Sequence, residues 1–570
     1  MQNNGRRHSA AFVSGEFMKK NLWQKIGAFA GPILAALPGL FLILYYITGP
    51  AEGYMTSDCT DSMRWAQASF ESGKLVSDRF YYAALLPFGG NLFFWPFIAL
   101  FGYTMKAQIC GLVLHAVLFA AALYYLARGL RLGRTASAGM VSVVMLILSS
   151  SPKLREILWE HIFYYNLGIL FFCFGFGLAL RLIRDEGPLI DPKKASVKDW
   201  LRLVVLLIFC LIAATDGLQT LVCFTVPLLG GLLVDYFLNE QNTIAKKSKV
   251  SVGVLMILIT LFSGAGFLMI NTISGGVSAG YANAYSTYSS MGDWTDNFLG
   301  TFHNWFTLFG ISVKQGQYFV SLDSVIALIK IFGALLLMFL PFVLCAKMNR
   351  FKNPLIRVVL IGHLCVSAFI IFATTFGSLG HANWRLTPMM GTSAICCYLA
   401  AAEWIKETGK VRLSALLLAV LIILAGITGY DISRMPADYG RDNSCHTAAR
   451  VLKEKNLTYG YANFWWAELV TLISGNEVQV VNIEGGKSEP SQNNYQIPFG
   501  MYEDRDLPED CPGYFLMLTE SERTKMDAWL KKQMNAGKIS DYFTITSEPY
   551  YAGGYSGKEL YVYIFPENIF

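Results

Sequence analysis

Long apolar runs alternate with short polar segments along the chain as far as residue 430. A helix needs about 20 apolar residues to cross a bilayer, and eleven runs approach that length. We therefore predict an α-helical polytopic membrane protein with about eleven transmembrane helices. The predicted spans are 27–47, 105–127, 135–150, 166–183, 200–214, 218–238, 250–271, 325–346, 355–376, 387–404 and 413–430.

Two regions depart from this pattern. Residues 80–104 are apolar, but prolines and glycines interrupt them, so this segment is predicted to be interfacial or re-entrant. Residues 431–570 are polar and rich in turn formers, with strand-like pieces such as VQVVNI at 478–483 and ELYVYIF at 559–565. Helical pieces alternate with these strands, which predicts one small α/β domain over 431–570.

Lysine and arginine are concentrated in one of the two sets of loops. Positively charged loops stay on the cytosolic side of a membrane. The basic segments are 1–26, 128–134, 184–198, 246–249, 347–357 and 406–412. The sequence therefore predicts a plasma membrane protein with 1–26 in the cytosol and a transmembrane domain over 27–430. The first outer loop (48–104), the long outer loop (272–324) and the domain 431–570 are predicted to lie outside.

The composition agrees with a membrane protein. Hydrophobic residues make up 54% of the chain and charged residues only 15%, against roughly 25% charged residues in a soluble domain. The eleven cysteines form no C-x-x-C pair and no zinc-ligand spacing, so neither a zinc ribbon nor a redox motif is predicted. No nucleic-acid partner is expected.

Two carboxylates closely follow the first span, in the stretch TSDCTDSMRW at 56–65. Residues 65–73 behind them have the pattern of an amphipathic helix that ends at a glycine and lies in the membrane interface. Asp58 and Asp61 would share one face of the helix start, and both are candidate catalytic residues. The alternative is that one of them caps the helix, and the spacing alone favours neither interpretation.

A second polar cluster, Glu160 and His161, lies at the predicted outer edge of the fourth span. A carboxylate beside an imidazole can bind a divalent ion or relay a proton, so both are candidate catalytic residues. Tyr165 and Asn166 follow as candidate substrate-binding residues. The nearby aromatic residues, Trp159 among them, are also typical of an interfacial belt, although a belt does not explain the Glu and the His.

Three further polar positions stand at or near predicted outer ends of spans. Asp216 falls in a very short turn and is interpreted as a helix terminator. Arg385, with His381 and Trp384 beside it, is a candidate for binding an anionic substrate group, because a guanidinium fits phosphate; snorkelling to lipid headgroups is the alternative. Lys330 lies in the first turns of a span and either snorkels outward or faces a cavity.

Taken together, these residues resemble the GT-C superfamily of polytopic glycosyltransferases, which includes aminoarabinose transferases and protein O-mannosyltransferases. The resemblance lies in a first span, an outer loop with an early Asp, and an interfacial helix that ends at Gly73. Asp58 falls near the position of the family's catalytic acid, although Cys59 stands where the family often has Glu. The segment WRLTP at 384–388 partly matches the family's Arg-Tyr-x-x-Pro, with Leu386 in place of Tyr.

The resemblance implies an inverting transfer of a sugar from a polyprenyl-phosphate donor to an acceptor hydroxyl outside the membrane. The acceptor would be a surface glycan, lipid or protein. Asp58 or Asp61 would be the general base, and Arg385 would stabilise the lipid-phosphate leaving group. Glu160 and His161 would orient the acceptor or hold a metal. No cofactor is certain, and a divalent cation such as Mg²⁺ or Mn²⁺ is left open.

Two other classes of protein have to be weighed against this one. A polyprenyl-lipid or glycan transporter or flippase would also have many spans, but transporters usually show internal repeats and ionisable groups near the midplane. A non-catalytic cell-envelope assembly protein would display the domain 431–570. The four carboxylates between Asp58 and Asp78 favour the enzyme over both.

Overall fold

The chain forms a helical membrane bundle followed by a small mixed domain. The computed structural model describes residues 30–183, 195–242, 246–273, 287–379, 382–404, 410–548 and 557–570. Within these ranges, eight helices are long and apolar enough to cross a membrane. They are Ala30–Ile47, Met105–Gly129, Tyr164–Leu182, Leu218–Leu238, Ser248–Ile273, Leu322–Ala346, Pro354–Phe376 and Val411–Ser433. The prediction of a multi-pass helical membrane protein is confirmed.

The other three predicted spans are also helical, as Arg134–Ile147, Val197–Ala214 and Thr387–Trp404. The first has 14 residues, or about 21 Å at 1.5 Å per residue, which is short of the roughly 30 Å hydrocarbon core. The second carries charged residues in its first turns, and the third is buried along most of its length. The count of eleven spans stays a prediction.

The first outer loop contains two helices of more than ten residues, neither of which is long enough to cross a membrane. Asp61–Ser72 is an interfacial helix that ends at Gly73, whose φ of 65° is the left-handed conformation that glycine adopts readily. Asn91–Phe101 has 11 residues and contains Pro96. Residues 80–104 therefore do not span, as the prolines and glycines of that segment predict.

Shorter helical segments fill the connections. They are Ala51–Tyr54, Ser57–Thr60, Pro152–Arg155, Glu156–Glu160, Met291–Asp293, Trp294–Leu308, Met348–Arg350 and Asn383–Leu386. Glu156–Glu160 is a π-helical turn, a form that often occurs at functional sites.

The loops meet at two opposite ends of the bundle. At one end, Arg155 Nη1 lies 3.0 Å from Asp431 Oδ2, which brings the second predicted outer loop (151–165) to the start of the C-terminal domain. At the other end, Arg357 Nε lies 2.6 Å from Asp235 Oδ1, between two predicted cytosolic loops. We call the first of these the site end; that it faces outside stays a prediction.

The described part of the C-terminal domain contains a five-stranded sheet. Its strands are β1 Tyr459–Asn463, β2 Gln479–Ile483, β3 Tyr514–Thr519, β4 Asp541–Thr546 and β5 Glu559–Phe565. Their order in the sheet is β2-β1-β3-β5-β4. Strands β1, β2 and β3 are parallel, whereas β5 is antiparallel to both β3 and β4. The helices are Ser444–Glu454, Phe464–Ile473, Glu520–Lys525 and Asp527–Asn535.

The two faces of the sheet belong to different hydrophobic cores. Because side chains alternate along a strand, Phe515 and Met517 of β3 point to one face while Leu516 and Leu518 point to the other. The first pair belongs to a core that continues through the domain's helices into the membrane bundle. The second pair belongs to a separate core with Tyr461. The domain is thus packed onto the bundle rather than tethered to it.

Candidate active site

The two carboxylates of the first outer loop lie at the junction of two helical segments. Asp58 is in the turn Ser57–Thr60, and Asp61 is the first residue of the helix Asp61–Ser72. The N-cap positions are held by Thr56 and Thr60, so neither Asp is an N-cap. Asp58 is half-buried and Asp61 is buried, which is unlike a solvated loop.

The second outer loop is built to present Glu160 and His161. Ser151 caps the helical segment by accepting the Leu154 N–H at 3.0 Å. The segment ends at Glu160, where the backbone of His161 becomes extended. Asn166 then accepts the Phe163 N–H at 3.0 Å and donates to the His161 carbonyl at 3.0 Å. Its amide therefore holds the turn that carries His161.

The two loops meet, although about a hundred residues separate them in sequence. Ser62 Oγ donates to the Ile162 carbonyl at 2.5 Å. Cys59 Sγ faces Glu160 Oε2 at 3.8 Å, and His161 Nε2 lies 3.9 Å from Asp61 Oδ2. These contacts gather Asp61, Glu160 and His161 in one place, and Asp58 lies close enough to Asp61 for its charge to raise the pKa of that carboxyl.

Burial makes the protonation of these acids unusual. Burial, reinforced by the negative charge of Glu156 and opposed by Lys153, raises the pKa of Asp58 to about 6. Burial also raises the pKa of Asp61, with Asp58 and Glu468 adding to the effect. Asp58 is therefore mostly ionised at neutral pH, with a pKa close enough to neutrality for it to accept a proton.

Glu160 and His161 are neutral at pH 7 for the same reason. Burial raises the pKa of Glu160 to about 8 and lowers the pKa of His161 to about 3. Tyr46, at the end of the first span, donates its hydroxyl hydrogen to Glu160 Oε1. Among the described residues, His161 Nε2 and Asp61 Oδ1 have no hydrogen-bond partner, so both atoms are available to a bound molecule.

The described residues show no cluster of metal ligands at this place. No group of three or more His, Cys, Asp or Glu side chains in the described residues could hold a metal ion. The closest approach is the pair of Asp61 and His161, whose nearest atoms are 3.9 Å apart. Because Mg²⁺ is usually held by one or two carboxylates together with water and substrate phosphates, the divalent cation named in the sequence analysis stays a prediction.

The C-terminal domain contributes residues that the sequence analysis missed. Glu468, on the helix Phe464–Ile473, forms a buried ion pair with Arg64 of the interfacial helix. Gln496 Oε1 accepts the Trp65 indole N–H at 2.6 Å, and the Gln496 side chain lies close enough to Asp61 to oppose the rise in the pKa of that carboxyl. A carboxylate inside the apolar run FWWAELVTLI is the one local signal of this contact.

The same domain also binds the backbone of the first outer loop. Tyr81 donates its N–H to the Ile497 carbonyl at 2.9 Å, and Gln496 donates its N–H to the Tyr81 carbonyl at 2.9 Å. Gln496 has a positive φ of 60°, an uncommon conformation for a residue other than glycine. The fixed backbone around Gln496 therefore sets where its side chain lies relative to Asp61.

Asp216 does more than the predicted termination of a helix. Its Oδ1 accepts the Phe88 N–H at 3.2 Å, across 128 residues of sequence. Gly89 permits this approach, because a Cβ there would lie 2.3 Å from Asp216 Oδ2. Burial raises the pKa of Asp216 to about 7, against the effect of its hydrogen bonds from Phe88 and Gly89. Asp216 therefore holds the re-entrant part of the first outer loop.

The candidate substrate-binding residues are distributed around this centre. Lys153 Nζ stands 4.6 Å above the ring centroid of Trp384, which connects that turn to the second outer loop. Arg385 Nη1 donates to the Leu379 carbonyl. The Tyr165 ring lies 6.2 Å from that of Phe163, which in turn lies 4.8 Å from His161. His381 lies outside the described residues.

The comparisons with known proteins agree with this architecture. No protein-family model and no curated protein matches the chain in sequence. The apo structure of ArnT, the aminoarabinose transferase from Cupriavidus metallidurans, matches with 13% identity and a TM-score of 0.51, covering 95% of this chain and 98% of that one. The chain has the GT-C fold.

Two further GT-C structures are similar at lower TM-scores. ArnT bound to undecaprenyl phosphate matches at 13% identity and a TM-score of 0.46, over 95% of this chain and 98% of that one. AglB, the oligosaccharyltransferase from Archaeoglobus fulgidus in complex with an inhibitory peptide and a dolichol-phosphate, matches at 11% identity and a TM-score of 0.47. It covers 92% of this chain and 73% of its own. The match with the apo structure of ArnT confirms the fold predicted from the sequence.

Proposed function

We propose that the chain is a GT-C glycosyltransferase that moves a sugar from a polyprenyl-phosphate donor to an acceptor hydroxyl on the outer side of the membrane. The observation that carries this proposal is the approach of Asp61 to His161 and of the neighbouring Cys59 to Glu160 at the site end of the bundle, with Asp58 beside Asp61. Undecaprenyl phosphate binds to ArnT, which has the same fold, and this supports a lipid phosphate as part of the donor.

Asp58 is the general base in this proposal. It takes the proton of the acceptor hydroxyl while that oxygen attacks the anomeric carbon, and the bond from that carbon to the lipid-phosphate oxygen breaks. The configuration inverts, and the polyprenyl phosphate leaves with the bonding electrons. Asp58 is half-buried and its pKa is about 6, so it is both reachable and ionised. The more deeply buried Asp61 orients the acceptor beside it.

The neutral pair of Glu160 and His161 positions the acceptor. His161 Nε2 has no hydrogen-bond partner in the described residues and can bond with the acceptor hydroxyl. Tyr46 hydrogen-bonds to the Glu160 side chain, and Asn166 holds the backbone that carries His161. Preorganised neutral groups of this kind hold the reacting oxygen near the base without competing for its proton.

The test is mass spectrometry of lipid-linked sugars and surface glycans from cells that express the wild type, Asp58→Asn or Asp78→Asn. Asp78 is a matched control because it lies in the same loop but is exposed. We expect a modified surface acceptor with the wild type and Asp78→Asn, and an accumulated lipid-linked sugar with Asp58→Asn. A wild type that leaves every acceptor unmodified, as a flippase would, contradicts the proposal.

A further inference from the structure

Two cations from different parts of the chain bind consecutive carbonyl groups at the site end. Lys330 Nζ donates to the Ser150 carbonyl at 3.3 Å, and Arg155 Nη1 donates to the Ser149 carbonyl at 3.2 Å. Lys330 lies in the third turn of the membrane helix Leu322–Ala346. Ionisable groups at such a depth are rare and usually mark a function. The mechanism described above uses neither cation.

The charges at this place do not balance within the described residues. Asp431 Oδ2 lies 3.0 Å from Arg155 Nη1, and half of the Asp431 side chain is exposed. Glu160 is also near Arg155 but is neutral at pH 7, because burial raises its pKa to about 8. One ionised carboxylate, that of Asp431, therefore lies near two cations, Lys330 and Arg155. Burying an unbalanced charge costs free energy unless a counterion neutralises it.

Two hydrogen-bond donors beside these cations are unused. Arg155 Nε and Ser150 Oγ are buried atoms without a partner among the described residues. Arg155 is only 3% exposed and Ser150 only 5%, so bulk water does not satisfy them. Together with the Lys330 ammonium they form a set of donors suited to the oxygens of a phosphate group.

The helix that carries Lys330 has an exposed apolar face and a polar contact on the opposite face. Val325, Leu328 and Phe332 are exposed on it, at the spacing that places them on one face. Lys330 lies on the opposite face, where its ammonium reaches the Ser150 carbonyl. The helix can therefore contact a lipid chain on one side and present the lysine to a headgroup phosphate at the site end on the other.

We propose that Lys330 and Arg155, with the Ser150 hydroxyl, bind the phosphate monoester of the polyprenyl lipid. This inference rests on the proposed function and assigns the phosphate to Lys330 and Arg155 instead of Arg385, which the sequence analysis favours. If the two cations served only to stabilise the carbonyl end of the helix Arg134–Ile147, their loss would lower stability but leave lipid binding unchanged.

Binding of undecaprenyl phosphate to the full chain in phosphatidylcholine nanodiscs, measured by native mass spectrometry, tests the inference. The variants are Lys330→Met, Lys330→Arg, Arg155→Met and Arg385→Met. Lys347→Met is the matched control, since Lys347 is exposed at the other end of the same helix. Undecaprenol, which lacks the phosphate, and competing inorganic phosphate separate recognition of the headgroup from recognition of the chain. Thermal unfolding shows which variants are folded.

We expect Lys330→Met to weaken undecaprenyl phosphate binding about tenfold or more, as for the loss of one charge-assisted hydrogen bond. Lys330→Arg and Lys347→Met should retain undecaprenyl phosphate binding. The binding of undecaprenol should be the same in every variant. Wild-type affinity in both Lys330→Met and folded Arg155→Met overturns the inference, most directly if Arg385→Met alone weakens binding. A wild type that binds no undecaprenyl phosphate instead refutes the proposed function. Because Lys330 is partly exposed, we expect Lys330→Met to fold, so this variant tests the inference even if Arg155→Met does not fold.

Discussion

The first and the long outer loops reach the same end of the bundle but are held very differently. The first is tied to the C-terminal domain by the Arg64–Glu468 ion pair and by backbone hydrogen bonds around Tyr81. The described part of the long loop ends in side chains that contact little, with Phe319 86% and Val320 97% exposed. Both loops carry aromatic and polar residues, so composition does not distinguish them.

The difference shows which of the two outer loops is held in place by the rest of the protein. A catalytic carboxylate must be held within a fraction of an ångström of its working position, and the C-terminal domain provides that restraint for the first loop. The exposed apolar residues of the long loop come directly before a membrane helix, where the lipid interface favours aromatic side chains. One loop is fixed by protein, and the other is in a position to be held by lipid.

The largest effect is expected when the anchor of the first loop, the Arg64–Glu468 ion pair, is removed. Glu468→Ala leaves Arg64 buried and unpaired, which should cost about 3–5 kcal/mol in the free energy of unfolding. Thermal unfolding in detergent measures it, and Glu484→Ala, at the surface pair with Lys487, is the control that should change little. Arg64→Met combined with Glu468→Met should recover most of the loss. A stable Glu468→Ala variant would show that the domain does not fix the loop.

The second test separates catalysis from anchoring. Asp58→Asn removes the base but alters no anchor, so sugar transfer should fall on the order of 10²-fold or more. The melting temperature should stay close to that of the wild type. Transfer from a polyprenyl-phosphate donor in proteoliposomes measures the rate, with Asp78→Asn as the exposed control in the same loop. Equal rates in Asp58→Asn and the wild type would remove the general base from this loop.

The third test uses pH. The base works in its ionised form, and burial raises the pKa of Asp58 to about 6. The transfer rate should therefore be steady above that value and fall about tenfold per pH unit below it. A rate profile from pH 5 to 8, at saturating donor, measures the midpoint. A midpoint near 4, the usual range of an exposed Asp, would place the base in open solvent.

The smallest effect is expected in the long loop. Phe319→Ser and Val320→Ser remove no packed contact, so the free energy of unfolding should change by no more than about 0.5 kcal/mol. Thermal unfolding of both variants in detergent checks this. A loss comparable to that of Glu468→Ala would mean that the long loop is anchored as firmly as the first, and the contrast would disappear.

The sequence predicts most of the bundle because the membrane leaves a local signature. The span predicted at 27–47 is observed as Ala30–Ile47, and the interfacial helix ends at Gly73 as its pattern indicates. The candidate catalytic residues are predicted for a similar reason, because polar residues beside apolar runs are conspicuous. They are Asp58, Asp61, Glu160 and His161. Their meeting was expected only through the resemblance to a known fold.

The contributions of Glu468, Gln496 and Asp216 could not be predicted in the same way. Each acts through a partner that is distant in sequence, and no local pattern names that partner. A glutamine at an irregular position between strands is indistinguishable from any surface glutamine until its contact with Trp65 is known. Asp216 resembles a helix terminator for the same reason, because Phe88 is its partner only in the folded chain.

The separation of Arg64 and Glu468 along the chain also has a consequence for biosynthesis. The two residues are 404 positions apart, and a ribosome adding about 5–20 residues per second needs about 20 to 80 s to cover that distance. During this time the first loop has been synthesised but Glu468 has not, so Arg64 is either solvated or bound by a chaperone. The contact is completed only when the domain that carries Glu468 has been synthesised. Chains that stall or are truncated before then cannot form the anchored first loop, which couples activity to completion of the polypeptide.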